Sequence, residues 1–237
     1  MWNPESPFYA PPRLDPDFIA WGIRFWRASH PTRAHAAGPL LRDLHLQSRA
    51  LYEELAEQTG NEFELTRQGL LALFSTERAL TEEARVAARA RELGMAAEVL
   101  DEKQVKALEP GVTLNIHGGV LYPLDAHVTP ERFVATLTRL VRERGGAFVW
   151  NAELRDWRVE GRSVRAAITT QGDVEGDEFV LAAGSWSSIL ARKLGLQMPL
   201  QPGKGYSLTL EAPRERPRRS LLLQEARVAI TPMGTML

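Results

Sequence analysis

Three stretches of this sequence carry residue types at spacings suited to chemistry. The first is Val180-Leu-Ala-Ala-Gly-Ser-Trp-Ser-Ser188, where an apolar run breaks at small residues and leads into a helix expected from Ser185 to Leu194. A helix start of this kind gathers unpaired N–H groups at the positive end of a dipole and favours an anion. Ala183 and Gly184 would let a pyrophosphate approach the backbone closely. A plain strand–helix turn fits the same residues equally well, because the chain contains no GxGxxG. The second stretch is Pro202-Gly-Lys-Gly-Tyr-Ser-Leu-Thr209, read either as a phosphate-contacting loop or as a turn with an exposed lysine; it lacks the P-loop pattern. The third is Tyr122-Pro-Leu-Asp-Ala-His127. Asp125 and His127 there read better as shapers of a turn before a helix than as an acid–base pair. No zinc-binding histidine pair or Gly-x-Ser-x-Gly elbow supports metal hydrolysis or serine chemistry.

The elements around these stretches alternate in type. Residues 3–13 hold four prolines and read as extended. Asp15-Pro16 reads as a helix cap with proline in the first turn, before a helix bearing Phe18, Ile19, Trp21, Ile23, Phe25 and Trp26. A second helix spans about 32–58, a strand pair 62–75, a helix 77–93 and a short strand 96–100. Gly119–Pro123 reads as a strand. Thr129-Pro130 opens a helix to about Arg144 with apolar residues at helical spacing. Strands are expected at 147–150, twice within 153–170, at Asp177–Ala183, Tyr206–Leu210, Leu221–Leu223 and Val228–Thr231. The alternation predicts a mixed α/β architecture.

Composition excludes several classes. The 237 residues are 44% hydrophobic and 25% charged with net charge −1, so nothing advertises disorder or nucleic-acid binding. The absence of cysteine removes disulfides, thiolate metal sites and thiol nucleophiles, and it slightly favours a cytoplasmic setting. The longest uncharged run, Pro110–Leu124, is 15 residues broken by glycines and prolines, short of the roughly 20 apolar residues of a spanning helix. No secretory signal opens the chain.

Taken in order, Arg67–Phe74, Gly119–Pro123, Ala182-Ala-Gly-Ser-Trp-Ser187, Lys204-Gly-Tyr-Ser-Leu-Thr209 and Val228-Ala-Ile-Thr231 resemble the D-amino acid dehydrogenase branch of the FAD-dependent D-amino acid oxidase superfamily. Ser6–Tyr9 and Arg13–Pro16 fit that branch's segment before its helical insertion. The resemblance implies a doubly wound FAD-binding domain interleaved with a mixed-sheet substrate domain. Residues 1–60 would be a helical segment of the substrate domain, 61–125 more of that domain, 126–200 part of the FAD-binding domain, and 201–237 further, incomplete substrate-domain strands. It implies oxidation of a D-amino acid to a 2-oxo acid and ammonia by hydride transfer to flavin. Alternatives are another amine, such as proline, glycine or sarcosine, or a non-catalytic fragment.

By the same resemblance, Leu154 would meet the adenine through its backbone. Ala183, Gly184 and Trp186 would line the FAD phosphate and ribose, and Gly205 and Tyr206 would approach flavin and substrate. A quinone at a membrane surface is the implied electron acceptor, with Trp21 and Trp26 at headgroup depth if that helix lies on the bilayer. The family's GxGxxG strand–turn–helix and its closing flavin-contacting segment are not in these residues. An internal fragment, inactive by itself, is therefore the expectation.

Overall fold

The computed structural model of the chain describes residues 14–237; the expected extended stretch 3–13 lies outside them. Six helices and eight strands run in the order α1 (Pro16–Ala28), α2 (Pro31–Thr59), β1 (Leu70–Phe74), α3 (Glu77–Glu92), β2 (Glu98–Asp101), α4 (Glu102–Leu108), β3 (Gly118–Tyr122), α5 (Pro130–Glu143), β4 (Leu154–Glu160), β5 (Ser163–Thr169), β6 (Gly172–Glu175), α6 (Ser187–Arg192), β7 (Ser220–Leu223) and β8 (Val228–Ile230). They belong to two compact units. One holds residues 31–144 and 207–237, the other the described residues up to 30 together with 145–206. No described helix is long and apolar enough to cross a membrane.

The first unit is built on a five-stranded mixed sheet in the order β2-β3-β1-β7-β8. β1 pairs antiparallel with β3, Leu71 opposite Leu121, and parallel with β7, Leu71 opposite Leu221. Its Leu-Leu-Ala-Leu-Phe run is buried on both faces because each face has its own cover. Leu71 and Leu73 pack with Leu100, Val105 and Leu221 on one side. Ala72 and Phe74 pack with Ala87, Ala97 and Val120 on the other, against α3. Where β3 crosses β1 only glycine fits: a Cβ on Gly119 would lie 2.8 Å from the Ala72 carbonyl oxygen. A third cluster, Ala56, Phe63 and Leu65, is closed by Tyr52 and Phe133, with the Phe63 and Phe133 rings edge-on at 5.3 Å.

In the second unit a three-stranded antiparallel sheet, β4-β5-β6, packs on α6. The Trp157 indole N–H donates to the Leu190 carbonyl at 3.2 Å, and its ring meets Phe179 edge-on at 5.9 Å. Lys193 Nζ donates to the Arg155 carbonyl at 2.5 Å. Asp15 caps α1 by accepting from the Asp17 and Phe18 amides, as its position predicts.

Several expected elements differ. Residues 147–150, Asp177–Ala183 and Tyr206–Leu210 do not form strands. Their apolar side chains express strand propensity, but a strand exists only where a neighbour takes its backbone hydrogen bonds. Val180, expected buried, is 91% exposed. The pair expected over 62–75 reduces to β1 and a single bridge from Thr66 to His127. The helix expected at 185–194 is a 3-10 turn, Gly184–Trp186, followed by six-residue α6, too short to build much dipole. Thr129 stands at the α5 cap position, yet its hydroxyl donates to Glu64 at 2.6 Å instead of capping. Two elements were not expected: β6, and α4, opened by an Asp101–Gln104 capping box.

One buried charge ties the first unit together. Glu109, fully buried at the end of α4, accepts from the Arg218 amide at 2.7 Å. It also pairs with Arg219 Nε at 2.9 Å, at an angle too bent for a hydrogen bond. Removing one member of a buried pair strands the other, at a cost of about 3–5 kcal/mol. Glu109→Ala is therefore expected to lower the unfolding free energy from urea titration by an amount in that range. A change under about 1 kcal/mol would show that water already screens the pair.

Candidate functional site

All six residues expected to contact cofactor or substrate fall in the second unit. The chain turns sharply at Gly184, whose φ of +53° favours glycine, and a Cβ there would meet nothing within 4 Å. Trp186 follows with its side chain 70% exposed. Gly203 and Gly205 are equally open, and Lys204 Nζ lies 5.2 Å from the Tyr206 ring centre, a cation–π contact. Ser185, Trp186 and Ser188 form one wall of a groove of about 1080 Å³, and Leu196–Gly203 form its rim. Ala183 and Gly184 adjoin this wall in sequence, Gly205 and Tyr206 follow the rim, and none of these four lines the groove. Tyr206 is 89% exposed. Leu154 is apart from it, half-buried at the start of β4 opposite Thr169.

The facing wall is α1, which contributes Asp17, Ala20, Trp21 and Arg24. The i, i+3, i+4, i+7 spacing of those four residues was the available signal for a distinct polar face. The Trp21 ring stacks between Phe18, at 5.8 Å, and Phe25, at 5.2 Å, and Asp17 pairs with Arg192 of α6 at 2.8 Å.

The open glycine turn, the exposed indole beside it and the size of the groove fit a dinucleotide cofactor. Bulky ligands need a backbone that can be approached, and nothing fills the space a side chain at Gly184 would take. A model for "FAD dependent oxidoreductase" proteins matches residues 14–236 of the chain. The chain is a member of the FAD-dependent oxidoreductase family. D-amino acid dehydrogenase of Rhizobium rhizogenes is 30% identical over 99% of this chain and 58% of its own length. That of Sinorhizobium medicae is 32% identical over the same shares. The chain thus spans less than two thirds of these relatives. Among solved structures, glycine oxidase from Geobacillus kaustophilus superposes with a TM-score of 0.66 at 24% identity, covering 89% of this chain and 55% of its own. This family member therefore has the mixed α/β fold of such flavin oxidases, and family membership implies FAD.

The Asp125–His127 stretch lies in the first unit, beside a smaller concavity of about 360 Å³ lined in part by His45, Arg49, Tyr52 and Tyr122. Its polar groups are committed to structure. Arg49 donates to the Leu124 carbonyl at 2.5 Å and pairs with Glu53 at 2.9 Å. Tyr122 donates to Glu83 at 2.6 Å; burial first, and this bond next, push its phenol up. Part of Asp125 reaches the surface, yet burial raises its carboxyl, opposed by His45 and Arg49. The His127 backbone bridges to Thr66, and its Nδ1 lies 3.1 Å from Ser220 Oγ.

Burial lowers the pKa of His127, partly opposed by an interaction with the Pro232 backbone. The unfolded chain, with an ordinary pKa of about 6.5, then binds the proton more readily than the folded one. The stability due to neutral His127 is full above about pH 6.5 and declines as pH falls toward the lower folded value. His127→Gln should flatten the pH dependence of the urea midpoint in that window relative to the parent. Parallel curves for the two proteins would remove His127 from the acid sensitivity.

Proposed function

We propose that the protein to which this chain belongs oxidises D-amino acids with FAD. The observation carrying this reading is the match to D-amino acid dehydrogenases along 99% of the chain; the groove beside an open glycine turn supports it. Bound FAD supplies the hydride acceptor, leaving an imino acid that water hydrolyses to a 2-oxo acid and ammonia. The residues of this chain bind and orient. Ala183 and Gly184 offer an unobstructed backbone to the phosphate and ribose, and Trp186 sets a flat wall beside them. The backbone at Leu154 would meet the adenine, Gly205 would give the flavin close approach, and the Tyr206 hydroxyl would position the substrate. On this reading the 145–206 segment carries the cofactor contacts and the mixed sheet supports the substrate side. Glycine or another amine is the second reading, favoured by the likeness to glycine oxidase in fold alone.

The reading is tested with protein purified from the native gene and a dye acceptor. Flavin absorbance and dye reduction with D-alanine exceeding that with glycine, L-proline or sarcosine are expected; preference for one of the latter amines overturns the substrate assignment. Tyr206→Phe is expected to lower kcat/KM about 10- to 150-fold at normal flavin content, the loss of one hydrogen bond to a charged group. Unchanged kinetics would remove Tyr206 from substrate positioning. We also propose a quinone at a membrane surface as acceptor, with Trp26, 75% exposed on α1, touching the headgroups of a cytoplasmic leaflet. Trp26→Ala should then reduce co-sedimentation with liposomes, and undiminished binding sinks that contact.

A further inference from the structure

Four charged side chains line the groove between α1 and the Gly184 turn: Asp15, Asp17, Arg24 and Arg192. Three are already engaged. Asp15 accepts from the Asp17 and Phe18 amides of its own helix, and the Asp17 carboxylate accepts from Arg192 at 2.8 Å. Arg24 has no ion pair among the described residues. It sits one turn beyond Trp21 on the groove face of α1, and the opposite wall supplies Ser185 and Trp186. A guanidinium without a counter-charge, in a groove that also presents two indoles, is matched by a ligand bearing an oxyanion. The planar fork of arginine holds carboxylate or phosphate through paired N–H bonds, while indole faces take a flat or apolar body.

We propose that Arg24 anchors the oxyanion of the small molecule held in this groove, with the exposed indole of Trp186 against the rest of it. The proposal rests on the function above for what that molecule is, and two sources share the chemistry: the carboxylate of the amino acid or a phosphate of the dinucleotide. Arg24 then acts by binding and positioning, not by proton transfer, and a lysine in its place keeps the charge but loses the paired geometry.

The test measures binding of benzoate, inorganic pyrophosphate and FAD to the parent protein, Arg24→Ala and Arg24→Lys. Quenching of tryptophan fluorescence reads the first two, and ultrafiltration reads FAD. Circular dichroism checks folding; if the alanine variant misfolds, the lysine variant decides. Arg24→Ala is expected to weaken at least one probe roughly 10-fold or more, with partial recovery in Arg24→Lys. Weaker benzoate binding and a raised KM with normal FAD assigns Arg24 to the substrate carboxylate. Weaker pyrophosphate and FAD binding assigns it to the cofactor phosphate. All affinities unchanged, or no probe bound by the parent, overturns the proposal. A parent that binds pyrophosphate or benzoate through Arg24 but neither takes up FAD nor reduces dye would defeat the proposed function and leave the anchor standing.

Discussion

β1 cannot be satisfied by any one neighbour. Its five residues bury side chains on both faces and bond β3 on one edge and β7 on the other, so every layer of its unit is fixed by reference to it. The small residues follow from this. Ala72 lies against the α3 side, and Gly119 lets β3 approach the Ala72 carbonyl. The buried Glu109 belongs to the same constraint: by holding the Arg218 amide and the Arg219 side chain, it sets the point at which the chain enters β7. An ion pair there contributes position more than net energy, since burying two charges roughly cancels their attraction.

The other unit is organised differently. Its hairpin sheet is secured to α6 through Trp157 and Lys193, while the groove residues sit on a 3-10 turn, a glycine-rich loop and one helix. Loops that carry binding residues on a fixed support are a common arrangement, since the support sets position and the loop supplies approachable backbone. Here the backbone at Gly184 is open beside the groove, and Trp186 is the exposed indole that lines it.

How much of this was legible depended on whether the signal was local. α1 announced itself through Asp15-Pro16, and α3 and α5 through apolar periodicity, because caps and amphipathic faces are properties of neighbouring residues. β1 and β7 were each readable as apolar runs, but their pairing was not, since nothing within four residues encodes a partner far along the chain. Val180 failed for the converse reason: an apolar run near a turn looks buried whether or not anything covers it. α4 was missed although Asp101-Glu-Lys-Gln104 spells a capping box, a signal overlooked beside a short strand. Of the expected contact residues, Trp186 is the one that lines the groove. Arg24 was not legible, because its interest lies in the counter-charges it lacks, and those are set by Asp17 meeting Arg192 across the fold.

The parallel pairing of β1 with β7 joins Leu70 to Ser220, and the whole 145–206 segment is spelled out between them. At a synthesis speed of about 5–20 residues per second, β1 waits roughly 8–30 s on the ribosome for that edge to be covered. During the interval its antiparallel partner β3 is already available, so one side closes early and the other stays open. The nascent chain thus carries one uncovered edge of an apolar strand for as long as the 145–206 segment takes to be made.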